Sequence, residues 1–550
     1  MVRERSWWGW GWADEQVDGE ELDAVGAMLA DRFGLEPSAP STPVDPKGIE
    51  LPAPRVRVPE PLRSLASDAT VDRVRHAHGN AFRDVVRAMH GDLDTTPDLV
   101  VRPGTPGEVA AVLEWCSDQD VVCVPWGGGT SVVGGVRPPE EPCVSLDLER
   151  MSAVTGVDEW SGTADVQGGA TGPMIEDALR SRGLTLRHFP QSWEFSTLGG
   201  WVATRAGGHF ATGPTHIDDL VAGISAETPA GTWSSRRLPG SGAGPSPDRW
   251  LLGSEGILGV ITEATVRVQQ RPTSRAQATF AFPTFGQGLA AVRALVRQGL
   301  QPANCRLLDP VEAVMAGSGG PGDTDSLLLV GFEAPDGPLD ERMATTVELV
   351  ADHGGVVRDG PTHRRGDTTG ASEGSAGAWR SAFLRMPYLR DGVARYGAVV
   401  ETFETAVPWN GAQDVVAELR ETALEAAREV CGNGQVAVRT THAYPDGVAP
   451  YLSVIAPGPA MHEEGPARGR AAAAAWDEIK QAVSEVIDRA DATITHHHAV
   501  GRDHRPIYDR QRPEPFAQAL RAAKAQLDPA GVLNPGVLID PAGSRDQPAG

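Results

Sequence analysis

Three short apolar runs, Leu99-Val100-Val101, Val121-Val122-Cys123-Val124 and Val144-Ser145-Leu146-Asp147-Leu148, read as buried strands, being too short for helices and bounded by turn residues. Between the first two, Thr105-Pro106-Gly107-Glu108 opens a helix whose apolar positions Val109, Val112, Leu113 and Cys116 recur at helical spacing. Pro173 to Arg182 reads as a second helix closed by Gly183. Far downstream, Trp476, Ile479, Val483 and Val486 mark a long helix, and the apolar Ala492 to Ile494 follows it. The pattern is weaker upstream. A Trp7-Trp8-Gly9-Trp10-Gly11-Trp12 head, an amphipathic stretch from Leu22 to Phe33 and a Pro-rich passage from Pro37 to Pro61 look like an N-terminal extension. Aromatic packing onto the main body is the favoured reading of the tryptophans over a lipid-facing patch.

A chain of 550 residues exceeds what one hydrophobic core organises, so two or three domains are expected. No apolar run approaches the roughly 20 residues of a bilayer span. The N-terminus lacks the apolar core of a secretory signal, and neither end carries a peroxisomal address. The expectation is a cytoplasmic protein whose membrane contact, if any, is peripheral. A formal net charge of −24 argues against nucleic-acid binding, which needs a basic surface. An anionic substrate would need a local basic pocket, and arginine would supply it, because lysine occurs only at Lys47, Lys480 and Lys524. Cys116, Cys123, Cys143, Cys305 and Cys431 are odd in number and never spaced as C-x-x-C, which fits reduced structural thiols.

The apolar run ending at Val124 leads straight into Pro125-Trp126-Gly127-Gly128-Gly129-Thr130-Ser131. Its glycines let successive backbone N–H groups turn toward one anion, and Thr130 and Ser131 add hydroxyls, a chemistry suited to a pyrophosphate. The spacing is neither G-x-G-x-x-G nor G-x-x-x-x-G-K-[ST], so Rossmann and Walker readings fail. Related small-residue runs follow at Gln191 to Gly200, at Thr204 to Gly208 and at Gly253 to Thr262, which together suggest an extended dinucleotide. Thr495-His496-His497-His498-Ala499 sets three adjacent histidines after an apolar run, where a hydrophobic core has no use for them. A metal site is the weaker reading, because neighbouring histidines on an extended segment point alternately and no carboxylate ligand motif accompanies them.

The GGGTS loop, the EFSTLGGWVATRAGG run and GSEGILGVITEATVRV resemble the FAD-binding domain of the vanillyl-alcohol oxidase type of flavoprotein. Within that superfamily the Trp-Gly-Trp-Gly head, HFPQSWEFSTLGGW, CRLLD, FETAVPW and the histidine triplet resemble the alkyldihydroxyacetonephosphate synthases. The resemblance implies an α+β fold: a vanillyl-alcohol oxidase type FAD-binding domain over 95–270, a separate α+β cap domain over 271–490, a C-terminal segment 491–550 that completes the active site, and an N-terminal extension over 1–94. It implies FAD and a homodimer; no motif in the chain fixes a flavin-linking residue, so non-covalent binding of the FAD is expected. It also implies exchange of the acyl chain of acyl-dihydroxyacetone phosphate for a fatty alcohol through a flavin adduct.

The same resemblance distributes roles. Tyr451, seven residues after Tyr444, takes the catalytic tyrosine position, and His496, His497 and His498 match the family triplet, with His497 first choice for acid–base or phosphate contact. His188 matches a substrate-facing histidine. Arg390, in PYLRD, matches a substrate-binding arginine; Arg306 and Thr402 match neighbours of the active site. The cofactor set is Pro125, Gly127, Gly128, Gly129, Thr130, Ser131, Gln191, Ser192, Ser196, Thr197, Gly199, Gly200, Thr204, Arg205, Gly207, Glu255, Gly256, Gly259, Val260 and Ile261. The sequence departs from the family at Phe189, at Ala499 and after Tyr451. Two rival readings stand beside the synthase: an FAD-dependent D-2-hydroxy-acid oxidoreductase of the same superfamily, and a non-enzymatic flavin- or lipid-binding protein.

Overall fold

The Thr105 hydroxyl accepts the Glu108 N–H at 3.2 Å, Pro106 starts the helix Pro106–Gln119, and Asp120 at φ 53° closes it. The computed structural model describes residues 3–35, 38–320, 322–366 and 375–540, with backbone alone for 375–382. It comprises two compact units. The described parts of Pro43–Gly207, His216–Gln269 and His497–Gly550 form the first, and those of Met1–Thr42, Gly208–Thr215 and Gln270–His496 the second.

In the first unit β1 (Leu99–Val101) and β2 (Val122–Trp126) each pair in parallel with β3 (Cys143–Asp147), as their apolar runs predict for strands covered on both faces. The helix Pro106–Gln119 buries Val109, Val112, Leu113 and Cys116 in the same core as β1 and β3. A five-stranded antiparallel sheet contains β4 (Val154–Asp158), β5 (Thr163–Gln167), β6 (Val221–Thr228), β7 (Gly231–Ser234) and β8 (Val260–Arg267), in the order β4-β5-β8-β6-β7. Val500 and Val537 to Ile539 lie in its core, so the terminal segment belongs structurally to this unit. Lys524 is buried there, its Nζ donating to Asp528 at 2.5 Å and to the Leu533 carbonyl at 2.6 Å.

The second unit is built on an eight-stranded sheet of β9 (Ser274–Phe282), β10 (Asn304–Leu308), β11 (Ser326–Ala334), β12 (Val356–Arg365), β13 (Val399–Glu404), β14 (Gln435–Ala443) and β15 (Gly447–Ala456). The order is β12-β9-β11-β10-β14-β15-β13, and Val407–Pro408 pairs with β15 as the eighth strand. Every residue of β15 is buried. The helix Gly465–Arg489 buries Trp476, Ile479, Val483 and Val486, the four positions whose spacing announced it. On that helix Lys480 is also buried, donating to Glu401 on β13 at 2.8 Å.

The Trp-rich head folds back on itself, with Ser6 N–H on the Gly11 carbonyl at 2.8 Å and Ala13 N–H on the Glu4 carbonyl at 2.9 Å. Trp7, Trp8 and Trp10 are buried, so these three rings present no lipid-facing patch. The Trp10 N–H reaches Asp391 at 2.5 Å and the Trp12 N–H reaches the Tyr388 hydroxyl at 3.1 Å, which ties the head to the helix Ser375–Arg395. Gly11 is required here: its φ is +67°, and a Cβ would stand 2.0 Å from the Tyr388 hydroxyl.

Candidate functional site

The first unit holds the glycine-rich loops. Gly127 to Ser131 leave the end of β2 and pack against Phe195 to Thr197; a Cβ on Gly128 would stand 2.0 Å from the Phe195 carbonyl. The Asn80 side chain fixes the loop from the other side, donating to the Gly129 carbonyl at 2.8 Å. Thr197 caps the helix Leu198–Thr204 by accepting the Gly200 N–H at 3.3 Å, and Gly199 and Thr204 lie on that helix. Ser196 is held between the Trp201 indole N–H at 2.6 Å and the Ser192 carbonyl at 2.9 Å. Gln191 and Ser192 are half-buried in the preceding loop, whereas Val260 and Ile261 are buried on β8. Gly207 pairs with His216, Gly256 at φ +78° packs beside Pro125, and Gly259 lies beside the Glu227 carbonyl.

Backbone at such close quarters, with Thr130 and Ser131 half-buried beside it, suits a flat, anionic dinucleotide such as FAD and leaves no room for side chains in its place. Replacing Gly128 with alanine is expected to displace the Phe195 carbonyl and to lower the flavin-to-protein ratio of purified material at least tenfold. The 450 nm absorbance of the protein peak checks it.

Two members of the expected cofactor set have other partners. Arg205 is exposed and bonds Asp218 at 2.8 Å. Glu255 is buried, and its two carboxylate oxygens accept the Val500 and Gly501 N–H groups at 2.9 and 2.8 Å. Burial pushes this carboxyl up to about 7, against the pull of those two donors. Its observed employment is to tie down the segment that leaves the histidine triplet.

The triplet itself departs from the alternating geometry of an extended segment. The chain bends there, and the His497 and His498 rings approach edge to face at 4.7 Å between centroids. His188 is buried with its ring edge-on to Trp201 at 5.0 Å, and burial pushes it down to about 3. It is therefore neutral at physiological pH, and no hydrogen-bond partner for its Nε2 lies among the described residues.

The second unit carries a polar cluster on its central strands. Tyr451 on β15 lies across from Arg439 on β14 and Glu404 on β13. The Arg439 guanidinium sits 3.9 Å above the Tyr451 ring and donates to Glu312 at 2.6 Å, both ionic side chains being almost fully buried. Burial pushes the Tyr451 phenol up; Arg439 and a hydrogen bond with Thr402 pull it down. Arg306 on β10 donates to the His209 carbonyl at 2.6 Å with Phe383 5.8 Å beneath it, and burial pushes it down to about 9. Arg390 is half-buried and turns Nε and Nη2 to Asp391 at 3.0 and 2.7 Å, the carboxylate that also holds Trp10. His496 meets the Tyr444 hydroxyl at 2.6 Å, and its backbone N–H donates to Glu404 at 2.7 Å.

Arg439, Glu312, Glu404, Asp391 and Tyr444 were not singled out from the sequence as site residues. A signal existed for one of them, the arginine that directly follows the apolar run Val436-Ala437-Val438, since a charge carried on a buried strand demands a partner.

An FAD binding domain matches residues 97–235, and the C-terminal domain of FAD linked oxidases matches 271–538. The chain is 28% identical to the alkyldihydroxyacetonephosphate synthase of Dictyostelium discoideum, over 88% of this chain and 82% of that protein. It is 26% identical to glycolate oxidase subunit GlcD of Bacillus subtilis (strain 168), over 80% of this chain and 89% of that protein. A solved alkyldihydroxyacetonephosphate synthase superposes with a TM-score of 0.78 at 23% identity, covering 96% of this chain and 98% of that one.

Proposed function

Starting from an FAD-dependent enzyme that joins an FAD binding domain to an FAD linked oxidase C-terminal domain, we propose that the protein is an alkylglycerone-phosphate synthase. It exchanges the acyl chain of acyl-dihydroxyacetone phosphate for a fatty alcohol and so forms an ether lipid precursor. The observation that carries this reading is Tyr451: a buried phenol with a guanidinium on its ring and a threonine at its hydroxyl, in a chain 28% identical to a synthase of that name.

The protein's own groups divide the work. Tyr451 takes the proton from the carbon that bears the ester, and the Arg439 charge stabilises the phenolate that this requires. Thr402 fixes the phenol's direction. Arg390 and Arg306 bind the substrate phosphate, for which arginine's planar fork is suited. The histidine triplet handles protons around the departing and arriving chains. Bound FAD, held without a covalent link by the glycine loops, supplies an electrophilic ring system at the exchanging carbon. His188, held neutral, faces the substrate as a hydrogen-bonding group rather than a cation. No helix among the described residues is long and apolar enough to cross a membrane, and we place the enzyme in the cytoplasm, peripheral at a membrane surface and as a homodimer.

Similarity to a glycolate oxidase subunit supports a second reading, oxidation of a D-2-hydroxy acid. Transfer of labelled long-chain alcohol by the FAD-loaded protein, given acyl-dihydroxyacetone phosphate under anaerobic conditions, separates the two. Ether formation without an electron acceptor is expected. No transfer from fully flavin-loaded protein, together with flavin bleaching by lactate or glycolate, would overturn the synthase.

A further inference from the structure

Exchange of one chain for another moves two protons at different atoms, one from the substrate carbon and one from the incoming alcohol. Tyr451 is suited to the first, being buried mid-strand with a cation on its ring. A different tyrosine has the surroundings of a proton carrier. Tyr444 lies where β14 gives way to the turn before β15, half-buried, its backbone N–H on the Gly447 carbonyl at 2.8 Å and its carbonyl accepting the Trp409 indole N–H at 2.9 Å. Its hydroxyl is 2.6 Å from His496 Nε2 and 3.3 Å from the Thr215 hydroxyl.

His496 is held from behind by a carboxylate. Glu404, buried on β13, accepts the His496 backbone N–H at 2.7 Å and the Thr495 hydroxyl at 2.5 Å, and its Oε2 stands 4.0 Å from His496 Nδ1. That charge favours a proton on Nδ1, which leaves Nε2 to accept the hydrogen of the phenol. The His442 ring lies 4.7 Å from the His496 ring, with its Nε2 3.0 Å from the Gly208 carbonyl and its Nδ1 3.1 Å from the Thr441 hydroxyl. A hydroxyl bonded to one imidazole nitrogen and a carboxylate 4.0 Å from the other are the parts of a general-base relay, with a phenol where a hydrolase has its serine.

We propose that Tyr444, His496 and Glu404 form a proton relay whose outer end, the Tyr444 phenol, takes the proton of the incoming fatty alcohol. The proposal rests on the synthase reading. The alcohol O–H bond breaks and its electron pair stays on oxygen, which forms the new C–O bond. The proton moves to Tyr444 as the phenol's own proton passes to His496 Nε2. The displaced fatty acid leaves as carboxylate with the electrons of its C–O bond, and the imidazolium facing Glu404 returns its proton to water before the next cycle. Ester and alcohol thus become ether, carboxylate and a proton, with no net oxidation.

Tyr444→Phe keeps the ring and removes the transferable proton. It is expected to slow alcohol transfer by about 10²-fold while slowing exchange of the substrate carbon's hydrogen with D2O, measured without alcohol, far less. Tyr451→Phe is expected to slow both by about 10²-fold or more. Loss of transfer and exchange in equal proportion in Tyr444→Phe, or transfer at the wild-type rate, would overturn the relay. The His496 ring titration, followed by 15N NMR, tests it independently of turnover. The groups facing that ring are Glu404, Tyr444, His442 and His497, the three imidazoles having ring nitrogens within 4.8 Å of one another; Glu404→Gln should move its midpoint down by about one pH unit or more, and Tyr444→Phe should shift the Nε2 resonance. If the wild type transfers no alcohol, the synthase reading falls by itself. An unmoved titration in both variants overturns the relay whatever the reaction.

Discussion

Tyr451→Phe is expected to lower kcat for alkyl transfer by about 10²–10⁴ while the protein retains its flavin, because it removes one oxygen from a buried, well-packed ring. The phenol sits where two influences oppose each other: burial disfavours the phenolate, and the Arg439 guanidinium 3.9 Å from the ring favours it. A group so placed transfers protons without a solvent network. The phenylalanine variant keeps the ring under Arg439, so its melting temperature should stay near wild type. Steady-state rates with saturating substrate and flavin absorbance decide the matter. A loss under tenfold at full flavin content would remove Tyr451 from the chemistry.

Arg439→Met should cost about 3–5 kcal/mol of stability, because it strands Glu312 as a buried charge without its counter-ion. Thermal or urea unfolding would register the loss. The double variant Arg439→Met with Glu312→Gln should recover most of it, since the penalty comes from the orphaned carboxylate rather than from the lost pair. The single variant has a second signature. Taking a positive charge from above the Tyr451 ring removes what pulls its pKa down, so the acidic limb of the pH–rate profile, where a general base gains activity as it deprotonates, should move to higher pH. Unchanged stability in the single variant would mean that Glu312 finds another partner.

Local rules made the scaffold legible. Thr105, Pro106 and the spacing from Val109 to Cys116 announced a helix that forms as read, and the four apolar positions from Trp476 to Val486 did so for another. The glycines from Gly127 to Gly129 announced a cradle because only backbone fits so close to Phe195. The partnerships within the candidate site were not legible. Arg439 meets Glu312 across 127 residues of chain and Glu404 meets His496 across 92, and such pairs depend on sheet register, which no local pattern encodes. The histidine triplet shows the same limit at short range. An extended segment would splay adjacent rings, but the bend at His497 and His498 brings them together. Glu255 lies in a glycine-rich motif that suggested a cofactor contact, yet its carboxylate is committed to Val500 and Gly501.

The near absence of lysine has a practical side. Of the three, Lys480 is committed to Glu401 and Lys524 to Asp528, both inside the fold, while Lys47 is exposed. An acylating dye at mild pH should therefore find one side-chain amine on the native protein besides the terminal one. That makes Lys47 a natural address for a fluorophore or a surface tether, with no need to engineer a cysteine, and the two hidden amines become labels for unfolding: their modification would report opening of the two units separately.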